Sequence, residues 1–513
     1  MDIITFAQQI VESLNTHNMK PILIAVLALF IMGCNSPASQ GASNTNDSAP
    51  TPATPMAVRD NSPAEAPDIT LTLSGIQAGS PVSLIGHLNE QRFRADSTVV
   101  GQGGVIHFQR SEPYLPGFYY ILIPQQAVVQ LLIDKDQTMQ LQADAGDVVG
   151  TMQVEGNLEN EILYQNLQFE QNQSPKFDAI SSQLQGLQKG SAEYERLTAE
   201  RSALIQERKA HLQSLFEQYP NTFFTSYKRA GQNPDLREPK RPDGSIDTEA
   251  QVYYFRQDFW NGVDFTDERL LRTPVIFNKL NRYITELTAQ NPDSLRAATK
   301  FLMDKVVDNE ATKEYLKFFA NWITLKYEPT KTTLMDAEAM YVFMVQNYFT
   351  KERAFWSDSM NIYGLQQRAE EMAGSLVGHK APNVTSFAPD GSEKTLLDLK
   401  APYLIVYMYN PTCEHCMEQT PKLVNFYREW KNKGVDVYGI ALDTDQKEWT
   451  DYIKKTGMSW TNVFDPSNRS IYGKYYVDVT PEIYVIGPDR KIIAKNIKVN
   501  QIEEVIRRDK EQR

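Results

Sequence analysis

Cysteine and histidine are scarce: the 513 residues hold three cysteines, Cys34, Cys413 and Cys416, and six histidines. So few thiols exclude a multi-disulfide framework and leave one isolated cysteine and one close pair. Positive charge is also short. Lys and Arg number 52 against 64 Asp and Glu, for a net charge of -12. With no basic excess to neutralise phosphates, nucleic acid is not an expected partner. The apolar run Ile22 to Met32 falls well short of the ~20 residues that a membrane-crossing helix needs. What is present is an ordinary globular balance, 41% hydrophobic and 23% charged. The length suits about two to four domains.

From Met19 the chain reads MKPILIAVLALFIMGC, with a cationic Lys20, the apolar run, and small Gly33 before Cys34. This is a signal-peptide layout, expected over residues 1–33. Asp2 and Glu12 suit the leading region of such a peptide poorly, which makes Met19 the expected biological start. Ile31-Met32-Gly33-Cys34 resembles the lipobox of bacterial lipoproteins. That resemblance implies cleavage before Cys34, lipid attachment to it, and a location in the bacterial cell envelope, facing the periplasm. A cleaved signal with an unmodified cysteine, or a short buried helix, is the alternative. Residues 34–67, dense in Ser, Pro, Ala, Asn and Thr, cannot build a core and read as a disordered tether.

Residues 68–165 show short alternating β-rich runs: Ile69 to Leu73, Val82 to Ile85, Tyr119 to Ile123, Val128 to Ile133 and Met139 to Gln142. Gly, Pro and Asp punctuate them, which predicts an antiparallel β-sandwich or barrel. His87 and His107 have no companion ligands in sequence, so no metal site is expected there. Over residues 166–373 the period becomes helical, as in Tyr194, Leu197, Leu204, Ile205, Leu212 and Leu215. Further helices are expected at Thr273 to Gln290, Ser294 to Val307, Ala311 to Tyr327 and Leu334 to Asn347. The aromatics of this stretch, among them Phe318, Phe319, Tyr341 and Trp356, read as helix packing, with a ligand groove as the alternative.

From 374 to 513 strands and helices alternate, which predicts an α/β domain with a partly parallel sheet. The apolar strand Tyr403 to Tyr409 ends at Asn410-Pro411-Thr412, and Cys413-Glu414-His415-Cys416 then opens a helix. A cysteine at a helix N-terminus meets unpaired N–H groups and the positive end of the dipole, both of which favour the thiolate. Two intervening residues place the sulfurs about one turn apart, within reach of reversible disulfide closure. His415, when protonated, favours the Cys413 thiolate, whereas Glu414 opposes it.

Strand, Cys-x-x-Cys and helix, with Pro421 in that helix and Thr480-Pro481 entering a later strand, resemble thioredoxin. Ala381-Pro382-Asn383 to Asp390-Gly391 and Leu396 to Leu399 resemble the leading extension of TlpA- and ResA-type membrane-tethered thioredoxins. The resemblance covers about the last quarter of the chain. It implies a thiol-disulfide oxidoreductase with Cys413 and Cys416 as the catalytic pair, Thr480 and Pro481 binding substrate, and no cofactor or metal. Glu414, His415 and Glu418 are expected to tune the site. The implied partners are client proteins with thiols or disulfides, a DsbD-like membrane reductase, and a lipid membrane through Cys34. Where thioredoxin carries a buried acid, this chain has Tyr407, and either Glu414 or Glu418, or water, is expected to serve instead. The rival readings are a thiol peroxidase, a zinc site at Cys413, His415 and Cys416, and a non-enzymatic lipoprotein binding module with a structural disulfide. Val406 and Asn410 stand where the resemblance to peroxiredoxins would require Pro and Thr.

Overall fold

The computed structural model describes residues 64–464, 466, 471, 474–477 and 479–513. The expected leader, the lipid site at Cys34 and nearly all of the tether lie outside the described residues. The chain divides after Lys279 into two compact units.

Among the described residues of the first unit, eight strands build two four-stranded sheets. They are β1 (Asp68–Ser74), β2 (Pro81–Leu88), β3 (Gln91–Val99), β4 (Val105–Gln109), β5 (Gly117–Ile123), β6 (Ala127–Ile133), β7 (Thr138–Asp144) and β8 (Gln153–Glu155). The sheet orders are β4-β1-β7-β8 and β3-β2-β5-β6. Period-2 alternation buries Ile69, Leu71 and Leu73 of β1 on one face. The expected all-antiparallel arrangement needs one correction: β1 and β7 run parallel, from Asp68↔Thr138 to Ser74↔Asp144. The chain leaves β6 in one sheet and crosses within a few residues to the other, where it enters in the direction of β1. Alternation reports which face is buried and carries no information about the partner's direction.

Besides a single helical turn at Val148–Thr151, four α-helices among the described residues belong wholly to this unit: α1 (Leu158–Leu184), α2 (Ala192–Gln218), α3 (Phe223–Ala230) and α4 (Thr248–Asp258). α1 starts inside the stretch expected to be β-rich, capped by the Asn157 side chain on the Asn160 N–H. Buried Asn160 ties it to β6 by accepting from the Leu132 N–H at 2.9 Å and donating to the Leu132 carbonyl at 2.7 Å. The division of the chain falls within α5 (Pro274–Thr285).

The second unit contains α6 (Pro292–Met303), α7 (Lys313–Lys326), α8 (Ala337–Tyr348) and α9 (Ser359–Ala373). Phe319 and Ile323 of α7, and Met340 and Met344 of α8, are fully buried at helical spacing. The aromatics Phe318, Phe319, Tyr341, Tyr348 and Phe349 are core residues.

A seven-stranded sheet follows, built from β9 (Thr385–Phe387), β10 (Glu393–Thr395), β11 (Tyr403–Tyr409), β12 (Val435–Ala441), β13 (Thr461–Phe464), β14 (Glu482–Ile486) and β15 (Ile492–Lys495). Its order is β10-β9-β13-β12-β11-β14-β15. β11 pairs parallel with β12 and antiparallel with β14, so the sheet is mixed. All seven residues of β11 are buried. Ile405, Tyr407 and Tyr409 face one core, shared with α10 (Glu414–Trp430), α11 (Gln446–Thr456) and α12 (Ile502–Gln512). Leu404, Val406 and Met408 face a second core on the other side. A strand buried on both faces gains about 1.5–3 kcal/mol for each large apolar side chain, and this fixes the end of β11, from which the cysteine helix departs.

Candidate active site

The turn between β11 and α10 is held by one side chain. Asn410 Oδ1 accepts from the Thr412 N–H at 2.8 Å and from its hydroxyl at 2.7 Å, and Asn410 Nδ2 donates to the Asp443 carbonyl at 3.1 Å. The Cys413 N–H donates to the Asn410 carbonyl at 3.2 Å. Cys413 is therefore the N-cap of α10, in extended conformation, and its Sγ accepts from the Cys416 N–H at 3.4 Å. A side chain that accepts from the first turn satisfies one of the N–H groups that a helix start leaves unpaired. Pro421 interrupts α10 downstream; it has no N–H, so the carbonyl of Met417 loses its helical partner.

The two sulfurs differ in exposure. Cys413 is half-buried and Cys416 is fully buried, and both are free thiols. Burial alone would raise the Cys413 thiol. Hydrogen bonds from the Cys416 backbone, the Cys416 and Thr480 side chains and the His415 backbone outweigh it and hold the group below its ordinary value. Burial pushes the Cys416 thiol up to about 12, against the Asn410 N–H that donates to its sulfur at 3.5 Å. The arrangement thus pairs an outer sulfur poised to ionise with an inner one kept protonated.

The loop before β14 closes the other side. The Thr480–Pro481 peptide bond is cis, and the Cys413 thiol donates to the Thr480 carbonyl at 3.2 Å across 67 positions of sequence. Val479, next to Thr480 in the chain, and Met417, next to Cys416, expose apolar side chains.

Of the residues expected to tune the site, Glu414 and His415 lie exposed on the first turn of α10. Glu418 is exposed and accepts from Lys422 Nζ at 2.6 Å, which holds its carboxyl below the usual range. These side chains sit on the solvent side, whereas Cys416 is enclosed. Three hydroxyls stand beside Cys416: that of Tyr407, already noted in the sequence, and those of Thr420 and Tyr452, which sequence reasoning passed over. Thr420 Oγ1 donates to the Cys416 carbonyl at 2.8 Å and lies 2.7 Å from the Tyr407 hydroxyl. The Tyr452 hydroxyl donates to Thr420 Oγ1 at 2.9 Å and to the Cys416 carbonyl at 3.3 Å. Burial raises the Tyr407 hydroxyl well above its ordinary value, so it stays neutral. The available signal was the spacing of Thr420, one turn beyond Cys416 on the same helix face. Among the described residues, no group of three His, Cys, Asp or Glu side chains is arranged to hold a metal ion. Nor is any described helix long and apolar enough to cross a membrane.

Residues 377–495 match the AhpC/TSA family, and residues 200–368 match a domain of unknown function, DUF5106. The chain is 28% identical over 123 residues to the thiol-disulfide oxidoreductase ResA of Bacillus cereus, covering 24% of this chain and 69% of that one. It is 25% identical over 116 residues to ResA of Bacillus subtilis, covering 23% of this chain and 64% of that one. Among solved structures, a thioredoxin-like protein from Bacteroides caccae is 19% identical, with a TM-score of 0.41, over 54% of this chain and 99% of that one. A domain of a possible thiol-disulfide isomerase from Cytophaga hutchinsonii is 29% identical, with a TM-score of 0.26, over 27% of this chain and 95% of that one. The C-terminal α/β domain of this chain is TlpA/ResA-like, and its likeness to these relatives supports a thioredoxin-fold thiol-disulfide oxidoreductase.

Proposed function

We propose that this chain is a membrane-tethered thiol-disulfide oxidoreductase that acts on protein disulfides or thiols outside the cytoplasm, with Cys413 as nucleophile and Cys416 as resolving thiol. The observation that carries the reading is the half-buried Cys413 at a helix N-cap, 3.2 Å from the Thr480 carbonyl, with buried Cys416 one turn behind it. In the reducing direction the Cys413 thiolate attacks one sulfur of a client disulfide. The client S–S bond breaks, the departing client sulfur takes a proton, and Cys413 is left in a mixed disulfide. Cys416 then loses its proton, its sulfur attacks Cys413, and the second client sulfur leaves as a thiol. The client gains two electrons and the Cys413–Cys416 pair is oxidised by two.

In this proposal Thr480 and Pro481 line the client site, while Glu414, His415 and Glu418 set the local charge from the solvent side. A DsbD-like membrane reductase supplies electrons, and a lipid on Cys34 anchors the chain in the bacterial envelope, facing the periplasm. The chain is read as leader (1–33), tether (34–67), β-rich domain (68–165), helical domain (166–373) and redox domain (374–513). The two N-terminal sheets are read as the layers of a sandwich, a reading supported by the alternate burial along β1 and β7. Turnover of insulin disulfides with dithiothreitol tests the activity: we expect it in the parent chain and its loss in Cys413→Ser. Equal turnover in both would overturn the assignment.

A further inference from the structure

Behind the Thr480–Pro481 loop lies buried charge that the thiol chemistry leaves unused. Glu482, the residue after Pro481, is 4% exposed, Lys495 at the end of β15 is 0%, and Asp336 and Glu338 at the start of α8 are 2% each. Lys495 Nζ stands 3.3 Å from Glu338 Oε1 and 4.9 Å from the centre of the Tyr484 ring. Asn496, exposed and left-handed at φ 53°, caps the group. Its Nδ2 donates at 3.0 Å to Oε1 of Glu338 and at 3.0 Å to Oε1 of Glu482. Asp336 Oδ2 accepts from the Val377 N–H at 3.0 Å, while Asp336 Oδ1 and Glu338 Oε2 have no hydrogen-bond partner among the described residues.

A buried ion pair with two further buried carboxyl groups beside it forms a costly core, because apolar side chains of similar volume would serve stability as well or better. The expense points to geometry. Glu482 opens β14 opposite Met408 of β11, two residues beyond the Thr480 carbonyl that meets the Cys413 thiol. Two residues of chain span at most about 7 Å, so a displacement of Glu482 is transmitted to Thr480 with little slack. Val479, on the far side of Thr480, is exposed.

We infer that Glu338 and Asn496 are positioning residues, through which α8 and the end of β15 fix Glu482 and hold the Thr480–Pro481 backbone against Cys413. Neither touches a sulfur. The helical segment preceding the redox domain thereby sets how well the client site is formed. This inference rests on reading Cys413 and Cys416 as the redox pair.

The test uses the full chain with Glu338→Gln, which keeps the side-chain volume, and Asn496→Ala, which alters an exposed residue and spares the core. Three quantities are measured: KM and kcat for insulin disulfides with dithiothreitol, the pH midpoint of Cys413 alkylation by iodoacetamide, and thermal unfolding. Each variant is expected to raise KM about tenfold with kcat within about twofold, a size typical of residues coupled to a site through intermediates. The alkylation midpoint is expected to shift, because displacing Thr480 alters both its side-chain hydrogen bond, which lowers the Cys413 thiol, and the carbonyl to which that thiol donates. Folded variants with an unchanged KM and midpoint, differing only in unfolding temperature, would overturn the inference and leave a purely structural cluster. A parent chain without insulin turnover would refute the redox reading instead, and the alkylation midpoint would still decide this one.

Discussion

The asymmetry between the two sulfurs gives a sharp expectation for alkylation of the reduced chain at pH 7. Cys416 sits at about 12 and Cys413 below the ordinary 9.0 of a thiol. At that pH about one Cys416 in 100,000 is a thiolate, against more than about one Cys413 in 100, a ratio of at least about a thousand. Intrinsic nucleophilicity works the other way. With a Brønsted slope of about 0.4–0.5, three units of pKa make the Cys416 thiolate roughly 15–30 times more reactive. The net preference for Cys413 is at least about thirtyfold from ionisation alone, and the full burial of Cys416 adds to it. Brief iodoacetamide treatment followed by peptide mass spectrometry reads both rates in one sample. Comparable labelling of the two cysteines, or labelling of Cys416 first, would refute the assignment of outer nucleophile and inner thiol.

Two predictions concern groups behind the site. Burial pushes the Asp336 carboxyl up to about 7, with Lys495 opposing and Glu338 adding to the rise. A carboxyl raised in the folded state binds its proton more tightly there than in the unfolded chain. Its contribution to stability is therefore complete below about pH 4, falls as pH rises from about 4 to 7, and is flat above. Asp336→Asn mimics the protonated form, so its stability advantage over the parent should grow across that window to as much as about 4 kcal/mol at pH 8. Urea unfolding at pH 4, 6 and 8 measures it, and a pH-independent difference would contradict the account. Thr420→Val strips the shared partner from the Tyr407 and Tyr452 hydroxyls and should destabilise the domain by about 1–3 kcal/mol. Denaturant unfolding checks it, and a change within about 0.3 kcal/mol would show that the hydroxyl cluster is dispensable.

What the sequence made legible follows from local physics. The run Tyr403 to Tyr409 announced a strand buried on both faces, and the cysteine spacing at its end announced a helix start, because both signals lie within a few adjacent residues. β3 escaped notice because it is an edge strand of mostly polar residues, QRFRADSTV, with no buried position along its length. β13 is only four residues long. α1 was placed too late because its first turns are rich in Asn and Gln, and Pro175 interrupts it. The parallel pairing of β1 with β7 depends on a crossover that alternation cannot report. At the site, the backbone positions were legible and the supporting side chains were not. Thr420 and Tyr452 lie 32 positions apart, and Glu338 and Asn496 lie 158 apart; only the fold brings each pair together.

The account turns on Cys413 making a covalent bond to a client sulfur within reach of the Thr480–Pro481 loop. Non-reducing electrophoresis with mass spectrometry of Cys416→Ser, incubated with a disulfide-bonded protein, addresses this directly. The account predicts an accumulating adduct through Cys413 that dithiothreitol releases and that is lost when Cys413 is also replaced. Persistence of the adduct without Cys413, or the absence of any adduct across a range of client disulfides, would contradict it.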